Sequence, residues 1–151
     1  MAALVLAEHA VEEVDIAKVL RIALIHDVVE VDAGDTFIYD ESATRDQAER
    51  EERAARRLFG LLPEDQAAAL LALWREFEAG LSAEARYAKA IDRLAAVLLN
   101  HASGGQSWRR HQLSKQRILG VNEKISGGSP ALWDFVRKLI EDAAARGYIE
   151  S

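Results

Sequence analysis

The feature that most constrains the fold is punctuation. The nine Gly and two Pro of the 151 residues fall mostly between stretches whose apolar residues return every three or four positions. Strand-like alternation is confined to Thr36–Tyr39 at most. Successive helices are therefore expected. A short first one covers Ala2–Ala10. A second runs from Asp15, as N-cap, to Val31, with Ile16, Val19, Leu20, Ala23, Leu24 and Val28 on one apolar face. A third runs from about Ala43 to Phe59, where Gly60 closes it. Its charges are spaced as Asp46/Arg50 and Glu49/Arg53, the pattern of a solvated helix face. Pro63 is placed at the first position of a fourth helix that ends at Ala79 before Gly80. Ser82 caps a fifth, Ala83 to Ala102, and Ser114 caps a sixth, Lys115 to Ile125. After Gly127-Gly128, Ser129 and Pro130 open a last helix that stops at Gly147. The sum is an all-α, single-domain bundle over residues 1–151, with about six to seven helices.

Composition narrows the chemistry. The chain contains no cysteine, so disulfides and thiolate metal sites are excluded and His, Asp and Glu remain as strong ligands. That composition also fits a reducing, cytoplasmic setting. A net charge of −6 offers no basic field for nucleic acid. The basic run Arg109, Arg110, His111, Lys115 and Arg117 is too short to change this, although it favours an anionic ligand. No apolar run has the roughly 20 residues of a membrane span.

The segment Ile25-His26-Asp27-Val28-Val29-Glu30-Val31-Asp32-Ala33-Gly34-Asp35-Thr36 places a histidine and several acids at the end of an apolar helix. On an α-helix Glu30 neighbours both His26, four residues back, and Asp27, three back. Asp92 is the odd residue out on the mostly apolar helix Tyr87–Leu99. A carboxylate there requires a cation. Lys89 or Arg93 would supply it in a purely structural reading; a metal held by His26 and Asp27 would supply it in a functional one. Spacing alone leaves both open. Among the other conspicuous residues, Trp108 and Arg109 are candidates to stack on a base and touch a phosphate, or to pack in the core. His101 is expected to finish a helix or line the cleft, and His9 to sit on the surface.

The segments Ala23–Glu30, Gly34–Thr36, Ala88–Leu94, Leu98–Asn100, Gly104–Arg109 and Ser129–Trp133, in that order along the chain, resemble the HD-domain superfamily of metal-dependent phosphohydrolases, in its 5'-deoxynucleotidase-like branch. The resemblance implies that His26, Asp27 and Asp92 bind a divalent metal ion, with Mn, Co, Mg, Fe and Zn not distinguished. It implies that Glu30 positions or activates the attacking water, and that Asp35 is a second catalytic carboxylate near the substrate. The implied activity removes phosphate from (deoxy)nucleoside 5'-monophosphates or similar small esters. The family pattern also has a histidine on the preceding helix, a position that falls before Met1, so the chain is expected to be short at its N-terminus relative to the family. His9 is not that residue. The alternative expectation is a degenerate domain that holds a nucleotide or partner without turnover, or serves as a dimeric scaffold. Apolar surface left uncovered on the second helix is expected to drive homodimerisation.

Overall fold

The computed structural model describes residues 1–34, 39 and 46–150. Within these the helices are α1 (Ala2–Val5), α2 (Ile16–Ile25), α3 (Glu30–Ala33), α4 (Gln47–Phe59), α5 (Glu64–Ala79), α6 (Ala83–Ala102), α7 (Gln106–Arg110), α8 (Lys115–Asn122) and α9 (Pro130–Ala145). Three 3-10 turns, Ala7–His9, His26–Val29 and Glu123–Gly127, link them. Among the described residues no strand forms, and the one β contact is an isolated parallel bridge between Ser114 and Glu150. The all-α architecture is the expected one, with more helical pieces than foreseen. The Thr36–Tyr39 stretch and the start of the third expected helix lie almost wholly outside the described residues.

Local signals explain most boundaries. The Asp15 carboxylate accepts the N–H groups of Ala17 and Lys18, and the hydroxyls of Ser82, Ser114 and Ser129 accept those of Ala85, Arg117 and Leu132. Pro63 departs from expectation by one position. Its extended backbone, φ −51° and ψ 147°, makes it the N-cap, and the helix begins at Glu64 with Glu64 and Asp65 in its first turn. The first expected helix is split into α1 and a 3-10 turn, and the helix expected to reach Ile125 passes into 3-10 geometry after Asn122.

The 20-residue α6 is the axis of the bundle. It buries Tyr87, Ala88, Ala90, Ile91, Leu94 and Val97 against α2, α5, α9 and the Glu123–Gly127 turn. Gly128 is required here: a Cβ would overlap the Arg86 carbonyl. The Tyr87 hydroxyl donates to the Ala3 carbonyl at 3.1 Å and pins α1 to the core. A second, smaller cluster packs Val29, Ala54, Ala55, Phe59 and Trp74 behind the end of α2. The charged helix α4 is therefore not simply a solvated surface. Its Arg50 donates to the Ala33 carbonyl at 2.7 Å and its Arg57 pairs with Asp32, so it clasps α3. Asp46 pairs with Arg50 as expected, at 3.2 Å, whereas Arg53 turns to the main-chain oxygen of Glu49.

Candidate active site

The second expected helix does not continue to Val31. After Ile25 the backbone tightens, and His26–Val29 forms a 3-10 turn in which the Glu30 N–H bonds to the Asp27 carbonyl. Residues three apart eclipse in such a turn. This spacing turns Glu30 toward the Asp27 side of the turn, and both residues line the same cavity. The buried Val29 anchors the turn in the cluster behind it.

The turn opens on a cavity of about 540 Å³ whose other walls come from α4, α5, α6, α7 and α8. His26, Asp27 and Glu30 line one side. From α6, Lys89, Asp92, Arg93, Ala96 and Asn100 face in at helical spacing. Glu51 from α4, Glu78 from α5 and Asn122 from α8 complete the polar lining, and Trp74, Phe77 and Trp108 supply apolar wall.

His26 is held on two sides. Its Nδ1 lies 3.0 Å from the Ala23 carbonyl, which only accepts, so Nδ1 carries a proton. Its ring packs against Phe77 at a tilt of 55°, with centroids 4.6 Å apart. Nε2 then points between two carboxylates, 2.9 Å from Asp27 Oδ1 and 3.7 Å from Asp92 Oδ1. Neither contact makes a hydrogen bond, and Nε2 is the only fully buried side-chain polar atom without one among the described residues. Burial alone would lower the His26 pKa. The pull of Asp92 and of the Asp27 charge outweighs it and holds the ring above the ordinary histidine value.

This donor set fits a divalent cation. A histidine whose Nδ1–H is tied to a carbonyl presents a lone pair at Nε2, and two carboxylates beside it supply charge and hard oxygen. Among the described residues, however, no three His, Asp or Glu side chains already stand as a metal cage. Asp27 and Asp92 are exposed and would have to close on the ion. The structural reading of Asp92 needs Lys89 or Arg93 within ion-pair reach of it. Lys89 Nζ donates to the Glu78 carbonyl at 3.2 Å and lies 4.8 Å over the Phe77 ring, while Arg93 donates to the Val121 carbonyl at 3.2 Å. Neither forms an ion pair with Asp92.

The cavity also perturbs groups that sequence reasoning did not place there. Desolvation pushes the Glu78 carboxyl up against the pull of Lys89, and desolvation pushes the Lys89 ammonium down. Lys89, Asp92 and Arg93 are three and four apart on one helix, so their convergence was readable in principle. Glu51, Glu78 and Asn122 carried no such local signal.

Of the other expected site residues, Trp108 is 1% exposed and forms cavity wall and core together. Arg109 is exposed and does not line the cavity, because the five-residue α7 turns Trp108 inward and its neighbour outward. Asp35 lies outside the described residues. His101 Nε2 meets Asp142 Oδ2 at 2.7 Å, joining α6 to α9 away from the cavity. His9 is exposed, as expected, and its carbonyl receives the Ser129 hydroxyl at 2.6 Å.

Fold and site together define a helical domain built around an adjacent His-Asp pair and a distal Asp, and the chain belongs to the HD domain family, which it matches over residues 1–133. Over 79 residues it is 39% identical to the 5'-deoxynucleotidase HDDC2 of Bos taurus and 38% identical to that of Homo sapiens. The aligned part is 52% of this chain and only 38% and 39% of those proteins, so the match spans well under half of their length. A crystal structure of a predicted metal-dependent phosphohydrolase from Magnetospirillum magnetotacticum MS-1 superimposes with a TM-score of 0.93 at 48% identity, covering 99% of this chain and 74% of that one. Among the described residues, no helix is long and apolar enough to cross a membrane.

Proposed function

We propose that this chain is a divalent-metal-dependent phosphohydrolase that converts (deoxy)nucleoside 5'-monophosphates, or similar small phosphate esters, to the alcohol and phosphate. The observation that carries this reading is His26 Nε2, buried and without a hydrogen bond, facing Asp27 and Asp92. The named activities of the bovine and human relatives support the same substrate class. A divalent ion held by His26, Asp27 and Asp92 would supply Lewis-acid charge for the phosphoryl oxygens.

The chain's own residues do the rest. Lys89 and Arg93 flank Asp92 on α6 and offset the negative charge of an entering phosphate. Glu30, facing the cavity beside Asp27, takes the proton of the water that attacks phosphorus. The new P–O bond forms as the bond to the leaving oxygen breaks, and that oxygen takes up a proton to become the free hydroxyl. Asp35 is assigned the role of a second carboxylate close to the substrate. The ring contacts of Phe77 and the Ala23 carbonyl keep His26 oriented throughout.

Phosphate release from a panel of deoxy- and ribonucleoside monophosphates, with Mn or Co added, tests the reading. Turnover that is abolished in Glu30→Gln supports it. Asp27→Ala and Asp92→Ala are each expected to lose bound metal; full metal retention in both would remove the site assignment. A second reading, binding without turnover, is favoured by one observation: the donors do not form a closed cage among the described residues. Nucleotide binding with no phosphate release at any metal concentration would select it.

We further assign the chain to a cytoplasmic homodimer. Leu24 and Val31 are 77% and 80% exposed, with Val28 between them also exposed, and these apolar side chains need cover. Sedimentation velocity showing only monomer would overturn the dimer.

A further inference from the structure

Apart from the aromatic rings of Tyr87 and Trp108, the buried polar side chains among the described residues are Ser129 and Asn122. Ser129 is fully used, since its oxygen accepts from Leu132 N and its hydroxyl donates to the His9 carbonyl. Asn122 is different. It is 4% exposed, and its Nδ2 donates to the Ile118 carbonyl at 2.8 Å and to the Tyr39 hydroxyl at 3.1 Å. A carbonyl only accepts, so the Ile118 bond fixes which end of the amide is nitrogen. Both amide hydrogens are then taken. Oδ1 remains, an acceptor with no donor among the described residues.

That oxygen is not sealed in. Among the described residues His26 Nε2 is the only fully buried side-chain polar atom without a hydrogen bond, so Asn122 Oδ1 reaches open space, and the space beside Asn122 is the cavity. An acceptor held so rigidly and left unpaired in a nearly buried wall is costly unless something donates to it. Its position says what. Arg93, next to Asp92, bonds to the carbonyl of Val121, the residue before Asn122. Asn122 therefore stands just past the expected place of the phosphoryl group, where the first part of a nucleoside monophosphate is its sugar.

We propose that Asn122 Oδ1 accepts a hydrogen bond from the 3'-hydroxyl of the nucleotide sugar, which makes Asn122 a specificity-determining residue of the cavity. This rests on the nucleotide reading of the site. A wall that offers an acceptor selects for ligands with a donor and rejects those lacking it, because the missing hydroxyl leaves the oxygen unpaired.

The test compares 2'-deoxyadenosine 5'-monophosphate with its 2',3'-dideoxy counterpart. Calorimetric binding to the metal-free chain is measured beside Mn-supported hydrolysis of p-nitrophenyl phosphate, which has no sugar. The wild-type chain is expected to bind the deoxynucleotide about tenfold more tightly than the dideoxynucleotide. In Asn122→Leu that ratio falls to about one, with the helical circular dichroism of the wild-type chain retained. Should Asn122→Leu not fold, Asn122→Asp keeps an acceptor oxygen and is expected to keep the ratio. Equal binding of both nucleotides by the wild-type chain overturns the assignment, and hands the oxygen to a base or to water. So does a ratio that survives in Asn122→Leu or is lost in Asn122→Asp. A persistent sugar dependence without any hydrolysis overturns the proposed activity alone. No binding of either nucleotide overturns both.

Discussion

The side of the cavity built by His26, Asp27 and Glu30 and the side built by Trp108, Asn122 and Tyr39 face the same space but treat their polar atoms in opposite ways. On the first side a buried nitrogen is left without a hydrogen bond and two exposed carboxylates crowd it. The second side is mostly satisfied. Both Asn122 amide hydrogens are bonded, and Tyr39, whose pKa is pushed up by desolvation, is countered by hydrogen bonds from Asn122 and Trp108. The difference shows where the chain keeps unsatisfied electrostatics for an ion and a reaction, and where it keeps rigid surface for recognition.

Five substitutions would break or sharpen that contrast. The largest effect is expected on the reactive side. Glu30→Gln should lower kcat for phosphate release by about 10²–10⁴-fold, with the thermal melt followed by circular dichroism unchanged. A comparable loss of stability would move Glu30 from chemistry to structure. On the recognition side the order reverses. Trp108→Ala should destabilise the fold by about 3–5 kcal/mol in urea denaturation, because a large buried ring leaves a void. Arg109→Ala, one residue away and exposed, should leave the same curve unchanged.

Ser129→Ala comes next. It removes the N-cap of α9 and the tie to the His9 carbonyl, at a cost of about 1–2 kcal/mol, read in the same urea titration, without altering hydrolysis. The smallest effect involves neither side. Burial would raise the Glu76 carboxyl, yet the bond from Lys18, the bond from Ser82 and the Lys18 charge hold it below its ordinary value of 4.5. A depressed carboxylate contributes stability above its unfolded pKa, and that contribution is lost as pH falls through the lower folded value. The neighbouring Glu84, lowered by the Asp15 backbone N–H and by Lys18, behaves the same way. Glu76→Gln should therefore flatten the acid limb of a melting-temperature profile below pH 4.5, by about a few tenths of a kcal/mol. An acid limb as steep as that of the wild-type chain would show that Glu76 takes no part in it.

Parts of the site were legible before the fold was known. The pair His26-Asp27, Glu30 and the distal Asp92 were picked out as polar residues on apolar helices with the order of a known family, and all four line one cavity. Arg109 was picked for its charge beside Trp108, but a short helix turns adjacent residues to different sides, and only Trp108 reaches the wall. Glu51 and Glu78 looked like ordinary surface acids, since nothing in their own segments shows that α4 and α5 turn them toward α6.

What the sequence determined by itself is local. Asp15, Ser82, Ser114 and Ser129-Pro130 start helices because a capping side chain reaches only two or three residues along its own chain. The same holds for the stop at Gly80, which adopts the left-handed conformation at φ 62°. Tertiary structure decided what depends on distant partners. It tightened His26–Val29 into a 3-10 turn over Phe77, clasped α3 with Arg50 and Arg57, and joined His101 to Asp142 across 41 residues. It also spent the Asn122 amide hydrogens on Ile118 and Tyr39, 83 residues away in the second case, and left one oxygen facing the cavity. Hydrogen bonds and burial between segments far apart in sequence are properties of packing, and no local pattern encodes them.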